Sequence, residues 1–219
     1  PTLNNIEKNL AGNLCRCTGY KSIKAATKNM YENNFRSNDN KKYKNYLKNI
    51  SKNNVHIRSK KNHFYIHHNL KDLLIDLKKI KNPTFLNGGT DIALEVTKKK
   101  KSLINIFYLG LNNDLNFIKI KNNNLNIGAS TPINIILPYL EKIYPNFAKM
   151  FYRYGSEQIR NVASIGGNLA SASPIGDTSP VLIALDSKII IEGNVRKEIS
   201  LKDFFKSYRK TELKENEII

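Results

Sequence analysis

The sequence predicts an α+β domain that follows a shorter helical segment. Residues 70–80, LKDLLIDLKKI, carry apolar side chains at helical spacing, whereas residues 115–130 read as two strands joined by a polar turn at Asn122–Asn124. The predicted strands and helices are mixed without strict alternation, and no internal repeat is evident. Because a parallel α/β fold requires alternating strands and helices, this order favours the α+β class.

The first 32 residues are predicted to form two short helices. Thr2 is a suitable N-cap for a helix over residues 2–12, and Gly12 stands where that helix ends. Its apolar side chains share one face: Leu3, Ile6 and Leu10. Ser22 can cap a second helix that runs to about Tyr31. We therefore treat residues 1–32 as a helical unit of their own.

Residues 33–61 read as a linker. The segment NNFRSNDNKKYKNYLKNISKNNVHIRSKK is polar, rich in lysine and asparagine and poorly periodic, with one short helix predicted around Tyr43–Ile50. The main domain is then predicted to occupy residues 62–219.

The main domain combines short strands with amphipathic helices. Its predicted strands are HFYIH (63–67), PTFLNGG (83–89), SLINIFYL (102–109), the hairpin of residues 115–130 and the end of PVLIALDSKIIIEG (180–193). Its predicted helices are residues 70–80, DIALEVT (91–97), residues 132–155 with interruptions at Pro138 and Pro145, and a short helix within SLKDFFKSYRKTEL (200–213).

The charge of the chain does not indicate a nucleic-acid partner. The formal net charge is +18, but it comes from 29 lysines and only 7 arginines, and residues 151–193 carry a net charge of −1. Arginine and aromatic residues, which read and stack on bases, are not clustered. Abundant lysine, asparagine and isoleucine together indicate a general compositional bias. A basic nucleic-acid-binding protein therefore ranks below the other interpretations.

Two further classes are excluded by simple patterns. No run approaches the roughly 18 apolar residues that a membrane span needs, so no membrane association is predicted. A disulfide between Cys15 and Cys17 would close a very small, strained ring. Reduced thiols, and hence a cytoplasmic location, fit better than a secreted disulfide framework.

The stretch FLNGGTDIAL (85–94) is the first candidate binding motif. A predicted strand ends at the glycine pair Gly88–Gly89, and Thr90 and Asp91 follow at the start of a helix. Paired glycines let backbone N–H groups converge on an anion, which a helix N-terminus also favours. The pattern predicts a pyrophosphate site, with an ordinary strand-to-helix turn as the alternative.

The stretch YGSEQIRNVASIGGNLASASPIGDTSP (154–180) is the second and stronger motif. It is too rich in glycine, serine and asparagine to predict a normally packed strand or helix, yet apolar residues within it indicate burial. Buried polar groups need partners, which a bound ligand would supply. The small donors and acceptors singled out are Ser164, Gly167, Asn168, Ser171, Ser173 and Asp177.

Cys15 and Cys17 flank a single arginine. In extended backbone, residues i and i+2 point the same way, so both thiolates can reach one metal centre. Iron–sulfur clusters and zinc are both held by thiolates, but either site needs four ligands. Two ordinary cysteines are the alternative, and the distant histidines do not favour a Cys2His2 zinc site.

All three motifs, in this order, resemble the iron–sulfur/flavin subunits of molybdenum hydroxylases of the xanthine dehydrogenase type. GNLCRCTGYKSI (12–23) resembles the end of that family's α-helical 2Fe–2S domain, and GGTDIAL (88–94) and QIRNVASIGGNLASASPIGDTSPVLIAL (158–185) resemble its two FAD-binding stretches. DFFKSYRKTEL (203–213) resembles a segment just beyond them. The resemblance covers residues 3–30 and 62–219.

The resemblance implies a two-lobed α+β FAD-binding domain of the vanillyl-alcohol-oxidase type, preceded by the tail of a helical 2Fe–2S domain. It places the FAD pyrophosphate near Gly88, Gly89, Thr90 and Asp91, and the rest of the FAD near Ser164, Gly167, Asn168, Ser171, Ser173 and Asp177. Tyr154 stands where the family places an aromatic residue close to the flavin ring. Cys15 and Cys17 match the last two of four cluster ligands.

The implied activity is electron transfer. Substrate is oxidised at a molybdopterin-binding partner subunit, and electrons pass through iron–sulfur centres to FAD and on to NAD. The first two ligands of the cluster are expected upstream of Pro1, and the rest of the flavin domain after Ile219, which makes the chain a fragment lacking both ends. The alternative is a truncated or decayed relative that keeps the fold and binds no complete set of cofactors.

Overall fold

The structure is a computed structural model that describes residues 2–32, 41–50 and 53–219. Its helices are α1 Leu3–Leu10, α2 Lys21–Glu32, α3 Lys41–Ile50, α4 Leu70–Leu77, α5 Ala93–Thr97, α6 Ile133–Ile143, α7 Pro145–Phe151, α8 Glu157–Arg160, α9 Ile165–Ala170, α10 Thr178–Ala184 and α11 Leu201–Phe204. Its strands are β1 Val55–Ser59, β2 Asn62–Ile66, β3 Pro83–Leu86, β4 Asn105–Tyr108, β5 Ile118–Lys121, β6 Asn124–Ile127, β7 Lys188–Ile191, β8 Lys197–Ser200, β9 Phe205–Ser207 and β10 Lys210–Thr211.

The N-terminal unit is the predicted pair of short helices. The Thr2 hydroxyl accepts a hydrogen bond from the backbone N–H of Asn5 at 3.3 Å, which caps α1, and Ile6 is the buried residue of that helix. A salt bridge between Lys24 and Glu7 ties α2 to α1. Helix α3 confirms the helix predicted around Tyr43–Ile50. The remainder of the predicted linker up to residue 40 lies outside the described residues.

A four-stranded sheet with the order β1-β2-β4-β3 forms the first half of the main domain. Strands β2, β4 and β3 are parallel, whereas β1 pairs with β2 as an antiparallel hairpin. Helix α4, capped by Asn69, buries Leu73 and Leu77 against Phe107 of the central strand. Burying such side chains stabilises by about 1.5–3 kcal/mol each.

The sequence does not predict strand β1, because residues 55–59 fall within the predicted linker. Their alternation of apolar and polar residues, VHIRS, is confined to five residues between basic stretches, and most of the strand is exposed. Tertiary pairing with β2, rather than local pattern, therefore makes it a strand.

The second half packs α6 and α7 beneath two antiparallel hairpins, β5–β6 and β7–β8. Its core consists of buried side chains from α6, α7, α9, β7 and α11, among them Ile133, Ile136, Leu140, Phe147, Phe151, Leu169, Ile191 and Phe204. Both hairpins are antiparallel, whereas the first sheet is mostly parallel. This combination of helices, antiparallel hairpins and a mixed sheet confirms the α+β prediction.

The two prolines in the long helical segment behave differently. Pro145 starts α7 at its first turn, as predicted, since that position needs no N–H donor. Pro138 lies inside α6 without ending it, so the predicted interruption there is wrong. An internal proline costs about 3 kcal/mol, and the burial of four apolar α6 side chains offsets that cost.

The glycine-rich stretch also differs from the prediction, because it forms short helices. Ser156 caps α8 and Ser164 caps α9 through hydrogen bonds to backbone N–H groups three residues on. Ile165 and Leu169 are buried from α9. Caps and burial therefore outweigh the roughly 1 kcal/mol that each glycine costs within a helix.

Candidate functional site

The first glycine turn connects β3 to α5. Strand β3 ends at Leu86, and Gly89 adopts a φ of +72°, a conformation that favours glycine. The backbone N–H groups of Gly88, Gly89 and Thr90 donate to no acceptor among the described residues. Three consecutive unused donors next to a helix start are the arrangement that binds an anion.

The second glycine turn lies directly against the first. Gly88 approaches the backbone of Val162 so closely that a Cβ atom built on it would lie 2.0 Å from the Val162 carbonyl oxygen. The Asn87 side-chain amide donates to Ser164 Oγ at 2.7 Å, and Ser164 Oγ accepts from the Gly167 N–H at 3.1 Å. The structure therefore brings the two predicted motifs into one site, through a hydrogen bond between residues 77 positions apart in sequence.

A third segment, residues 129–132, completes the site and was missed from the sequence. The Asn87 amide also donates to the Ser130 carbonyl at 3.3 Å, and Gly166 packs against Ala129. Ser130 and Thr131 are buried. The run of small and hydroxyl residues in GASTP (128–132) is the available signal, but its first three residues are predicted as the end of the hairpin.

These segments line a cleft of about 240 Å³. Its walls are Asn87, Gly88, Tyr108, Gly110, Ser130, Pro132, Asn161 and Val162. A cleft of this size is smaller than the roughly 300–1,000 Å³ of whole ligand pockets. The cleft therefore has room for one portion of a dinucleotide, and the exposed side of the glycine turns lies beside the cleft.

Asn168 is the centre of a partly buried hydrogen-bond network. Its amide group donates to the Tyr154 hydroxyl at 3.2 Å, and its carbonyl oxygen accepts from the hydroxyl of fully buried Thr178. Its backbone carbonyl accepts from the Ser171 hydroxyl at 2.8 Å. Asn168 and Ser171 therefore have protein partners that fix their positions.

Tyr154 is the first residue of the second motif, and its ring lies near Asp91 of the first motif. Burial raises the pKa of its phenol, and the nearby carboxylates of Asp177 and Asp91 raise that pKa further, against the opposing hydrogen bond from Asn168. Both carboxylates therefore lie close enough to act on the same ring. The tyrosine stays neutral at physiological pH and presents a polar tip on a largely apolar body.

A buried arginine holds the loop that carries Tyr154. Arg160 is 4% exposed, and its guanidinium donates to the carbonyls of Tyr154 at 3.3 Å and Gly155 at 2.8 Å. It also donates to the Asn134 side chain at 3.2 Å. The guanidinium thus fixes the loop through neutral acceptors, a role that sequence reasoning missed.

The other predicted residues lie around this centre. Thr90 and Asp91 are exposed beside the first turn, and Asp91 lies 4.0 Å from the Arg209 guanidinium. The Ser173 hydroxyl accepts from the Ile175 N–H at 3.4 Å, and Asp177 precedes α10 without capping it. The structure thus collects the predicted flavin-site residues in one region, while their contacts with FAD stay predictions.

The cysteines lie in the exposed turn between α1 and α2. The hydroxyl of Thr18 lies 3.4 Å from Cys15 Sγ and lowers the pKa of that thiol. Across residues 2–32, 41–50 and 53–219, no three or more His, Cys, Asp or Glu side chains group as metal ligands. Two thiols do not make up the four ligands of a 2Fe–2S cluster, so the described residues do not by themselves fit one.

Helix α1 and Gly12, which follows it, contact residues 152–158 of the second motif region. The Gln158 side chain donates to the Asn9 carbonyl at 3.2 Å, and Lys8 lies over the Tyr152 ring. Gly12 packs against Ser156, where an added Cβ would lie 2.5 Å from the serine Cβ. The segment immediately before the cysteine turn is therefore in contact with the loop that carries Tyr154.

The residues of the site fit an FAD pyrophosphate and its flanking groups. The glycine turns offer three unused backbone donors, and Gly89 and Gly167 have no backbone atom within 3.4 Å of an added Cβ. That open space permits close approach of a ligand.

In the portion of the chain that is described, no helix is long and apolar enough to cross a bilayer.

Comparison with known proteins assigns the family. Residues 58–219 match the family described as the FAD binding domain in molybdopterin dehydrogenase. Xanthine dehydrogenase 1 of Arabidopsis thaliana is 30% identical over 161 residues, which are 67% of this chain and 12% of that protein. The nicotinate dehydrogenase FAD-subunit of Eubacterium barkeri is 30% identical over 139 residues, 62% of this chain and 46% of that subunit. The chain thus spans less than half the length of these relatives.

Solved structures show the same fold. Carbon monoxide dehydrogenase from Hydrogenophaga pseudoflava contains a chain that matches with a TM-score of 0.67 at 21% identity, covering 74% of this chain and 58% of that one. Quinoline 2-oxidoreductase from Pseudomonas putida 86 matches with a TM-score of 0.66 at 19% identity, covering 70% and 55%. The predicted fold is thereby confirmed as the FAD-binding domain of the molybdenum hydroxylase type, and this chain belongs to the family of FAD-binding domains in molybdopterin dehydrogenases.

Proposed function

We propose that this chain is the FAD-binding part of an electron-transfer subunit of a molybdenum hydroxylase of the xanthine dehydrogenase type. In this proposal it passes electrons from iron–sulfur centres to FAD and on to NAD, in the cytoplasm, beside a molybdopterin-binding partner subunit. The contact between the two glycine turns, with three backbone donors unused at their edge, is the observation that carries the proposal. The family match over residues 58–219 supports it.

In the proposed complex the first turn holds the pyrophosphate. The N–H groups of Gly88, Gly89 and Thr90 donate to the phosphate oxygens, and Asp91 follows at the edge of the turn. Charge-assisted hydrogen bonds of this kind contribute about 1.5–3 kcal/mol each. FAD, when bound, supplies the redox chemistry, and the chain holds and orients it.

The second motif and Tyr154 hold the remainder of the FAD. Small donors and acceptors face it from α9 and the loop before α10, namely Ser164, Gly167, Asn168, Ser171, Ser173 and Asp177. Arg160 holds the Tyr154 backbone carbonyl and Asn168 its hydroxyl, and the neutral ring offers an apolar face for the flavin ring. Cys15 and Cys17 are proposed as two of the four thiolate ligands of a 2Fe–2S cluster.

Flavin titration of the 219-residue chain tests the proposal. FAD fluorescence is followed as protein is added, with riboflavin and ADP as matched probes that lack one half of the dinucleotide. We expect saturable quenching of FAD, competition by ADP and much weaker binding of riboflavin, because the pyrophosphate is the main anchor. Absence of FAD binding to a folded chain would contradict the proposal.

The decayed relative remains the second candidate, because only two cluster ligands are present in the chain. It predicts that the folded chain binds neither FAD nor ADP. The transfer to NAD is tested with the whole protein: anaerobic NADH is expected to bleach its flavin absorbance. A flavin that NADH leaves oxidised would refute the NAD assignment while leaving the FAD site intact.

A further inference from the structure

The N-terminal unit, residues 2–32, has little core of its own. Its helices α1 and α2 have 8 and 12 residues, and helices of this length are marginal in water when isolated. Ile6 is the single buried side chain among residues 2–32, whereas Leu14 and Tyr31 are exposed. Because so little apolar surface is buried within the unit, its position depends on the contacts that it makes with the main domain.

A hydrogen bond and a cation–π contact join this unit to the main domain. The Gln158 side chain of α8 donates to the Asn9 carbonyl at 3.2 Å. The Lys8 ammonium lies 4.6 Å from the centre of the Tyr152 ring, where the ring attracts a cation. Both contacts come from successive residues of α1. They therefore fix this helix against residues 152–158.

Gly12 makes a third and very close contact. Its φ is +108°, a conformation that residues with a side chain rarely adopt. A Cβ atom built on Gly12 would lie 2.5 Å from Ser156 Cβ and 2.6 Å from Ser156 Oγ. That hydroxyl caps α8. A side chain at position 12 must therefore displace either the cap or the N-terminal unit.

The segment on which the unit docks also carries Tyr154. The Tyr154 hydroxyl accepts a hydrogen bond from the Asn168 amide at 3.2 Å, and its backbone carbonyl accepts from Arg160 at 3.3 Å. Two of its near neighbours in the chain, Tyr152 and Ser156, contact the N-terminal unit. A movement of this segment on undocking therefore reaches the Tyr154 ring.

We propose that docking of the N-terminal unit on residues 152–158 positions Tyr154 for the flavin half of FAD, so that docking and FAD binding favour each other. This inference rests on the proposed function, in which Tyr154 faces the flavin ring. A ligand binds only the molecules that hold the competent conformation, so weaker docking raises the apparent Kd for FAD. The first glycine turn, residues 88–90, takes part in none of the three docking contacts. ADP, which ends at the pyrophosphate, should therefore bind independently of docking.

Titrations of the 219-residue chain test this coupling, with FAD followed by fluorescence and ADP by calorimetry. Gly12→Ala should raise the Kd for FAD by about 5- to 20-fold, a size typical of coupling between two sites, and leave the Kd for ADP unchanged. Gln158→Ala removes one hydrogen bond and should raise the Kd for FAD by about 2- to 10-fold. Circular dichroism verifies that each variant folds.

Gly19→Ala is the matched control for Gly12→Ala. Gly19 lies in the same connection between α1 and α2 and also has a positive φ, +58°, but nothing lies within 4 Å of an added Cβ. This variant strains the backbone without touching the main domain, so it should change the Kd for FAD far less than Gly12→Ala does. Lys8→Gln should weaken FAD binding, whereas Lys28→Gln, which removes an exposed salt bridge within α2, should not.

Hydrogen exchange provides the reciprocal measurement. Since coupling between two sites acts in both directions, FAD should slow exchange of the α1 backbone amides and ADP should not. The inference is overturned if folded Gly12→Ala and Gln158→Ala bind FAD as the parent does, or if they lose affinity for FAD and ADP equally, which is the sign of general destabilisation. A folded parent chain that binds neither FAD nor ADP would instead refute the proposed function on which the inference rests.

Discussion

Replacing Gly88 with alanine tests the contact that joins the two glycine turns. The added Cβ would lie 2.0 Å from the Val162 carbonyl oxygen and 2.4 Å from its carbonyl carbon. Ordinary contact begins at 3.4 Å, so the turns must separate by about 1.4 Å. Overpacking of this kind costs about 1–3 kcal/mol. At about 2–4 °C per kcal/mol for a chain of this size, the melting temperature should fall by about 2–12 °C.

The same separation should weaken FAD binding. If one phosphate hydrogen bond is lost, the cost is about 1.5–3 kcal/mol, which is about 10- to 100-fold in Kd. The assay is thermal unfolding by circular dichroism together with FAD fluorescence titration. Gly167→Ala is the matched control for stability, because the atom that its Cβ would crowd is a side-chain oxygen, Ser164 Oγ at 3.1 Å, and not the backbone of another segment.

A Gly88→Ala protein with the parent melting temperature and the parent Kd for FAD would refute the reasoning. Equal destabilisation by Gly88→Ala and Gly167→Ala would also count against it, because the structure assigns backbone crowding to Gly88 alone of these two. Destabilisation with unchanged FAD affinity would show that the contact supports the fold and not the ligand site.

Three further changes have expected outcomes. Ser164→Ala should lower the free energy of unfolding by about 1–3 kcal/mol by removing the α9 cap and a partner of Asn87, whereas Ser164→Thr, which keeps the hydroxyl, should lose less in urea unfolding. Burial raises the pKa of the Tyr154 phenol above its usual value. In a spectroscopic pH titration, Tyr154→Phe should therefore remove one phenol that ionises at unusually high pH. An unchanged titration curve would contradict this. Hydrogen bonds from Lys101 and Lys99 lower the pKa of Glu95 from 4.5 to about 2. The ionised Glu95 carboxylate therefore stabilises the fold above pH 4.5, and this stabilisation is lost as the pH falls towards 2. Glu95→Gln should remove this contribution to the pH dependence of the free energy of unfolding.

Local pattern was sufficient for most elements of the fold. The α4 helix and the β5–β6 hairpin follow from apolar spacing and from the Asn122–Asn123 turn, whose residues adopt positive φ. Strand β1 could not be found this way, because its partner across the hairpin decides its state. The same limit applies to α9, where the cap at Ser164 and tertiary burial outweigh the glycines.

The candidate site was predictable only in part for a similar reason. The two glycine motifs stand out in the sequence, but nothing local indicates that Asn87 joins Ser130 to Ser164, or that Arg160 holds the Tyr154 loop. These contacts link residues that are distant in sequence or lie in an unremarkable helix. Chain topology, which a single sequence does not encode locally, brings them together.

The glycine pairs themselves divide into two roles that sequence alone could not separate. Close approach of backbone was predicted to serve an anion, yet Gly88 and Gly166 each pack against protein backbone, with added Cβ atoms 2.0 and 2.5 Å from carbonyl oxygens. Their neighbours Gly89 and Gly167 face more open space. In each pair, then, one glycine lets the segments of the protein meet, and the other leaves room at the surface so formed. A ligand that uses both turns therefore depends on packing residues that need not touch it, which is why Gly88→Ala, Gly167→Ala and FAD affinity have to be measured together.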